Sequence, residues 1–312
     1  MICSNAFGQK IQTILDGNKS DSSFYHLTKI SDNEFWLGGK FGIISKIDSL
    51  GKITSLNLPT EGLNILKIER LENYIFIATD NAVIFRYNIE TKEFIRKKFE
   101  DFENRCFYDM IVLKNGNLLL CGGTSGIAVA EKKIPHGFIA TVDKNLTEIN
   151  IVWKCWRKFV WSAFESENGD VFATTFNRYN SKILKSSNLN NWKSEHKVKG
   201  LVHEISKFGS NILYCGTKNI HYNETGILGI LGVGIEASDI LEKAGCLWSS
   251  QDSENEILAV SQSGELIRFI KNSTIINRIS IKPNFALYDI EQISKSKYMI
   301  IGQGKCIFIT EI

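Results

Sequence analysis

Glu34-Phe35-Trp36-Leu37-Gly38-Gly39-Lys40-Phe41-Gly42-Ile43-Ile44 sets an apolar run that ends in small residues against a turn and a second apolar run. The phrase returns as Phe76-Ile77-Ala78-Thr79, Leu120-Cys121-Gly122-Gly123 and Phe172-Ala173-Thr174-Thr175. It returns again as Tyr214-Cys215-Gly216-Thr217, Leu258-Ala259-Val260-Ser261 and Met299-Ile300-Ile301-Gly302. Counted between the last residues of successive phrases, the spacings are 40, 44, 52, 42, 44 and 41. A period in the forties carrying several short strands per unit is the pattern of propeller blades. The fold class that follows is all-β, a single seven-bladed β-propeller with four-stranded antiparallel blades.

Working outward from the phrase, blade 1 reads as strands 24–30, 34–39, 42–48 and 52–58, with Ser31-Asp32-Asn33 and Ser49-Leu50-Gly51 supplying tight reversals. Blade 2 reads as 64–70, 74–79, 82–88 and 93–99, and blade 6 as 245–250, 256–261, 265–270 and 275–281. After Gly302 ten residues remain, enough for a third strand over 306–310 but not a fourth. The spare strand-like segment Lys10–Leu15 is therefore predicted to complete the last blade, because an open edge is a liability. Loss of residues 9–16 is then expected to destabilise the whole domain. Two stretches exceed the minimal blade, 124–137 in blade 3 and the glycine-studded 226–240 in blade 5, and loops at one mouth are where propellers build sites.

Bulk composition bounds the partners. Apolar residues make up 43% and aromatic residues 11%, ample for one core, and three prolines leave no proline-rich linker. With 37 basic against 34 acidic residues the net charge of +3 offers no basic face for nucleic acid. No apolar run reaches the roughly eighteen residues of a membrane span. Ala6 and Gly8, two apart before a polar pair, have the shape of the end of a secretory signal peptide. Residues 1–8 are thus read as a signal-peptide remnant and 9–312 as the propeller, placing the protein in the periplasm or outside the cell, with a cytoplasmic protein as the alternative. The seven cysteines include no CxxC pair, and Cys121 and Cys215 occupy similar positions in different blades, so free buried thiols are expected.

Local motifs favour architecture over chemistry. Gly232-Val233-Gly234-Ile235-Glu236-Ala237 matches a GxGxxA dinucleotide pattern, but the following segment, 246–268, reads as ordinary blade strands rather than helix and parallel strand. Nicotinamide binding is rejected, and no cofactor is expected. The histidines His26, His136, His196, His203 and His221 show no HExxH or i,i+4 pair, so no metal site is read. Asp80, Asp109, Asp170, Asp252 and Asp289 fall at strand ends or turns and are read as turn residues. No catalytic residue is assigned.

The segment Ile151-Val152-Trp153-Lys154-Cys155-Trp156-Arg157-Lys158-Phe159-Val160-Trp161 holds three tryptophans and three cations within nine residues. Exposed Trp beside Arg suits protein hot spots, sugar stacking or cation–π contact. Trp153 and Trp161 also fit as inward residues of adjacent strands, which leaves Trp156 and Arg157 on the connection. The expected binding face comprises Trp156, Arg157, Lys132, His136 and Tyr222.

Ser186-Ser187-Asn188-Leu189-Asn190-Asn191-Trp192 resembles a degenerate Asp-box turn, with Asn188 in place of the acid. The arginine triad and Arg-Ile-Pro element of sialidases are missing, so the likeness implies propeller structure and no sialidase activity. Trp36-Leu37-Gly38-Gly39 with Ile47-Asp48, and Ile75–Asn88, resemble the blades of two groups. One is the sensor propellers of bacterial two-component regulators; the other is the photosystem II assembly-factor-like propellers. Such resemblance implies assembly or sensing work. The expectation is a monomeric, non-enzymatic propeller presenting a rigid face to a protein or glycan. The alternative is a carbohydrate-active hydrolase or lyase with its site at the axial mouth, which clustered carboxylates or a His–carboxylate pair there would favour.

Overall fold

The computed structural model of the chain describes residues 2–4, 10–18, 22–99, 102, 105–124, 136–177, 179–218, 225–231, 235–236, 241–254, 256–271 and 276–312. Seven antiparallel sheets follow one another in chain order, each built from four sequential strands, and the last takes its outer strands from the N-terminus. The innermost strands are Phe24–Ser31, Ile65–Leu71, Arg105–Val112, Phe159–Glu165, Leu201–Phe208, Leu247–Asp252 and Leu287–Ser294. Each packs beside the next, and Leu287–Ser294 packs beside Phe24–Ser31, so the ring is closed.

The second strands carry the repeated phrase and lie between neighbouring blades, covered on both faces. Leu118–Thr124 and Val171–Phe176 are buried at every position, which is why they read as continuous apolar runs rather than alternations. The small residues ending the phrase have a steric cause. A Cβ on Gly39 would collide with the Ser23 carbonyl, and one on Gly216 with the Leu201 carbonyl, at the points where the inner strand of the same blade begins. Between blades the core forms wedges: Phe76 and Ile84 of blade 2 meet Phe107, Met110 and Leu120 of blade 3 around Phe102.

Closure is as the strand arithmetic predicts. Lys10–Leu15 pairs antiparallel with Ile307–Glu311, which pairs with Lys297–Gly302, and Ile2–Ser4 adds a fifth strand outside Lys10–Leu15. Four details differ from expectation, the first being that the fourth strand of blade 1 covers Ile53–Ser55 rather than 52–58. Lys40–Gly42 forms a short 3-10 turn with Phe41 at φ 60°, so the third strand of blade 1 begins at Ile44. The inner strand of blade 6 runs Leu247–Asp252, two residues later than expected. In blade 5, Gly226–Leu231 is the regular third strand and Ile235–Glu236 the fourth, so the described residues of that stretch are blade strands and not a loop insertion. The pairing of Ile235–Glu236 with Gly229 and Ile230 is antiparallel, the opposite of a dinucleotide βαβ unit.

The degenerate Asp-box is a working turn. Asn188 Oδ1 accepts the Asn190 and Asn191 N–H groups at 3.1 and 3.0 Å, and Trp192 Nε1 donates to the Leu189 carbonyl at 2.7 Å. The amide oxygen replaces the missing carboxylate because an acceptor is all the turn requires. Cys121, Cys215, Cys246 and Cys306 are free buried thiols, as read, and Cys155 is a half-buried one.

Candidate functional site at the axial mouth

Every inner strand carries a β-bulge near its start, between Phe24 and His26, Ile65 and Lys67, Phe107 and Asp109, and Val160 and Ala163. The bulges continue between Val202 and Glu204, Leu247 and Ser249, and Leu287 and Asp289. A bulge places two residues against one and re-aims the extra side chain. The residues so placed are Tyr25, Leu66, Tyr108, Trp161, His203, Trp248 and Tyr288, all of which line one axial cavity of about 510 Å³. Their rings run in unbroken contact through six blades. Tyr108 lies 4.4 Å from Trp161, Trp161 5.1 Å from His203, and His203 4.1 Å from Trp248. Trp248 lies 5.3 Å from Tyr288, and Tyr288 5.5 Å from Tyr25, with Leu66 filling the remaining gap. Burial pushes the His203 imidazole down to about 4, so it stands neutral in this wall at pH 7.

One residue further along each strand lies a polar layer of His26, Lys67, Asp109, Ser162, Glu204, Ser249 and Asp289. Much of it clamps blade to blade. Asp289 Oδ2 accepts the Leu27 N–H at 2.8 Å, and Asp109 Oδ2 accepts the Ala163 N–H at 2.8 Å. Glu204 Oε2 accepts the Ser250 N–H at 2.7 Å, and Ser162 Oγ accepts the Ile205 N–H at 3.3 Å. Asp109 and Asp289 are therefore not turn residues, as the sequence reading had them, but mid-strand acceptors at the axis. Each takes a backbone N–H that the bulge of the next blade has freed from its ladder.

The charges are largely matched in pairs. Lys67 Nζ sits 3.2 Å from Asp109 Oδ1 and 3.9 Å from Glu69 Oε1. Burial opposes the lysine charge, but Asp109 and Glu69 outweigh it and hold its pKa above the ordinary value. His26 Nδ1 lies 2.9 Å from Asp289 Oδ2, and its Nε2 lies 3.1 Å from the Ile68 carbonyl. Burial works to raise Asp289, yet the His26 contact and the Leu27 N–H hold it below the usual carboxylate range. Toward the opposite mouth, Glu69 and Glu291 line a second cavity of about 590 Å³. Burial, then neighbouring carboxylates, lift both to about 7, and burial and Asp289 lift Glu204 to about 8.

A pH dependence follows. Glu69, Glu204 and Glu291 hold protons more tightly in the folded chain, so their contribution to stability is complete below 4.5 and lost as pH rises through about 7 to 8. His203 acts in the opposite sense, but only between about 4 and 6.5. The melting temperature is therefore expected to fall by about 5 °C between about pH 6.5 and about pH 8.5, read by scanning calorimetry. A constant or rising value over that interval contradicts the assigned shifts.

Of the expected face, His136 begins the third strand of blade 3 and Trp156 ends the fourth, their rings 4.2 Å apart and edge-on. Trp156 is 58% exposed. Arg157 turns the chain toward blade 4 at φ 58°. Antiparallel pairing puts these three at the same face of the ring as the aromatic bulges, since inner strands start where fourth strands end. Lys132 and Tyr222 lie outside the described residues. Trp153 packs between blades as expected, but Trp161 does not; it lines the mouth. Among the described residues, no group of three or more His, Cys, Asp or Glu is placed to hold a metal ion, and no helix is long and apolar enough to cross a membrane.

No protein-family model and no curated protein sequence matches the chain. Solved structures do. A streptogramin B lyase superposes with a TM-score of 0.74 at 13% identity, covering 97% of each chain. YCF48 bound to D1 peptide superposes at 0.70 with 11% identity, covering 96% of each. The WD40 domain of Neurospora crassa Pan2 superposes at 0.66 with 9% identity, over 93% of this chain and 89% of that one. At these identities the likeness establishes the fold, and it bears out the resemblance to photosystem II assembly-factor-like propellers at that level.

Proposed function

We propose that the protein is a non-enzymatic binding propeller that takes a peptide segment of a partner protein into its aromatic axial mouth. One observation carries this reading: Tyr25, Tyr108, Trp161, His203, Trp248 and Tyr288, from six blades, meet ring against ring around a single axial cavity. Aromatic walls give contact area at low entropic cost. YCF48, which shares the fold, is itself described bound to a peptide. Trp156, Arg157 and His136, on the same face, would contact the partner beyond the mouth.

The enzymatic alternative needs a free base or acid at the mouth, and a His–carboxylate pair is indeed present. Both His26 nitrogens, however, already lie against protein oxygens, Asp289 Oδ2 and the Ile68 carbonyl, so neither is left for a substrate. Asp109 and Asp289 spend their oxygens on backbone N–H groups of two blades each. Panning a displayed random-peptide library on the folded protein tests the reading. Enrichment on the wild type that disappears on the Trp161→Ala/Trp248→Ala double variant is expected. Equal enrichment on both, or none on either, would overturn it.

A further inference from the structure

The net charge of +3 hides an uneven distribution. At the end of the ring where inner strands finish, cations are matched: Lys144 with Glu72, Lys207 with Glu167 and Lys295 with Glu254. On the aromatic side, where blade 3 meets blade 4, they are not. Arg157 and Lys158 form the connection from the outer strand of blade 3 to the inner strand of blade 4. In blade 4, Lys182 stands directly opposite Lys197, and Lys199 follows two residues on. Val198 between them packs with Val202 and Ile227 of blade 5, so the three lysines share the other face, toward blade 3. None of these five cations has a carboxylate partner among the described residues. Glu195, the one acid of the outer strand Lys193–Lys199, acts on Lys185 toward its far end. Like charges directly opposite each other destabilise a sheet, so a lysine pair beside three further cations lacks only an anion from outside.

The cations begin where the aromatic mouth ends. Phe159, next after Lys158, has its ring 6.1 Å from Tyr108 and 6.2 Å from Trp161. A peptide leaving the cavity over Phe159 passes directly onto them. Lys197 and Lys199 repeat at about 6.7 Å, the two-residue rise of a strand and the spacing of alternate side chains on an extended polypeptide. We infer, resting on the peptide reading above, that the bound peptide leaves the mouth between blades 3 and 4 and carries aspartate or glutamate there. Its carboxylates pair with Arg157, Lys158, Lys182, Lys197 and Lys199. A partner with lysine or arginine at that place is repelled, so the rim adds a sequence preference to the mouth.

The test uses the full-length protein and two fluorescein-labelled octapeptides read by anisotropy, one alternating glutamate and serine, the other glutamine and serine. Three proteins are compared: wild type, the rim variant Arg157→Gln/Lys197→Gln/Lys199→Gln, and Lys144→Gln/Lys207→Gln/Lys295→Gln. The last loses the same charge from the opposite end of the ring. Wild type is expected to bind the glutamate probe at least about tenfold tighter than the glutamine probe, and this preference should weaken severalfold between about 50 and about 200 mM salt. The rim variant should lose the preference, and the opposite-end variant should keep it within about twofold. Equal affinity of wild type for the two probes, or equal losses in the two variants, would overturn the acidic assignment and leave the peptide reading intact. An eight-nucleotide single-stranded DNA that binds the rim tighter than the glutamate probe would also overturn it, by assigning the cations to a polyphosphate chain. If panned peptides fail to bind at all, the peptide reading falls and the acidic exit path falls with it.

Discussion

Removal of residues 9–16 is expected to abolish the cooperative unfolding transition of the wild type or to lower its midpoint by more than about 10 °C. The segment Lys10–Leu15 is the fourth strand of blade 7, and its loss strips the backbone partners from Ile307–Glu311. That strand is apolar, with Ile307, Phe308 and Ile309 all buried, and an unpaired apolar edge invites association with other chains. The deletion also removes Ile11 from one interblade wedge and Ile14 from the next, so both sides of blade 7 loosen. Lys282 loses Asp16, which it meets at 3.0 Å across the ring's closure. Removal of residues 1–8 supplies the contrast. Among the described residues it takes away the outermost fifth strand, Ile2–Ser4, and its midpoint is expected to stay within about 2 °C of wild type. Calorimetry on the two truncations side by side decides the matter, and equal midpoints would contradict closure by this strand.

The second large effect belongs to Asp289. Its carboxylate accepts the Leu27 N–H of blade 1 and its own neighbour's Ile290 N–H, and it pairs with His26. Asp289→Ala orphans two buried donors and the imidazole at the seam between the last blade and the first. Breaking one side of a buried charged network costs about 3–5 kcal/mol. Asp289→Asn keeps an acceptor for one N–H and is expected to cost less than half as much. Asp109→Ala should behave like Asp289→Ala, because Asp109 accepts the Ala163 and Met110 N–H groups and faces Lys67. Urea unfolding of the three variants gives the comparison. An Asp289→Ala variant as stable as the wild type would mean that the axial carboxylates do not clamp the blades.

The fold was legible because its information is local. Second strands covered on both faces must be apolar, and their ends must be small where the inner strand enters, so the phrase around Gly39 recurs with each blade. The closing strand was legible by counting, since ten residues after Gly302 cannot supply two strands. The axial site was missed, although its signal is also periodic. The inner strands read Phe24-Tyr25-His26, Phe107-Tyr108-Asp109, Val160-Trp161-Ser162, Val202-His203-Glu204, Leu247-Trp248-Ser249 and Leu287-Tyr288-Asp289. An apolar, aromatic, polar triplet thus recurs in six blades. Aligning the blades on the second strand alone hid it.

What no alignment conveys is that the bulge turns the middle residue of each triplet toward the axis. Without that geometry Trp161 reads as an interior blade residue and Asp289 as a turn. Convergence of His26, Lys67, Asp109, Glu204 and Asp289 depends on closure of the whole ring, and these residues lie as far as 263 positions apart in sequence. The exposed Trp156 was legible for the opposite reason, because its placement needs only its own blade, where His136 of the adjacent strand meets its ring.

The central claim is that the aromatic mouth is where this protein binds. The most direct measurement is the Kd, by fluorescence anisotropy, of the best panned peptide for three proteins: wild type, Trp161→Ala/Trp248→Ala, and Trp156→Ala/Arg157→Ala. The account predicts at least about a tenfold loss in the mouth variant, with an unchanged fold, and a smaller loss in the outer-face variant. Wild-type affinity in the mouth variant, with binding lost instead in the Trp156→Ala/Arg157→Ala protein, would contradict it and move the site to the rim of blade 3.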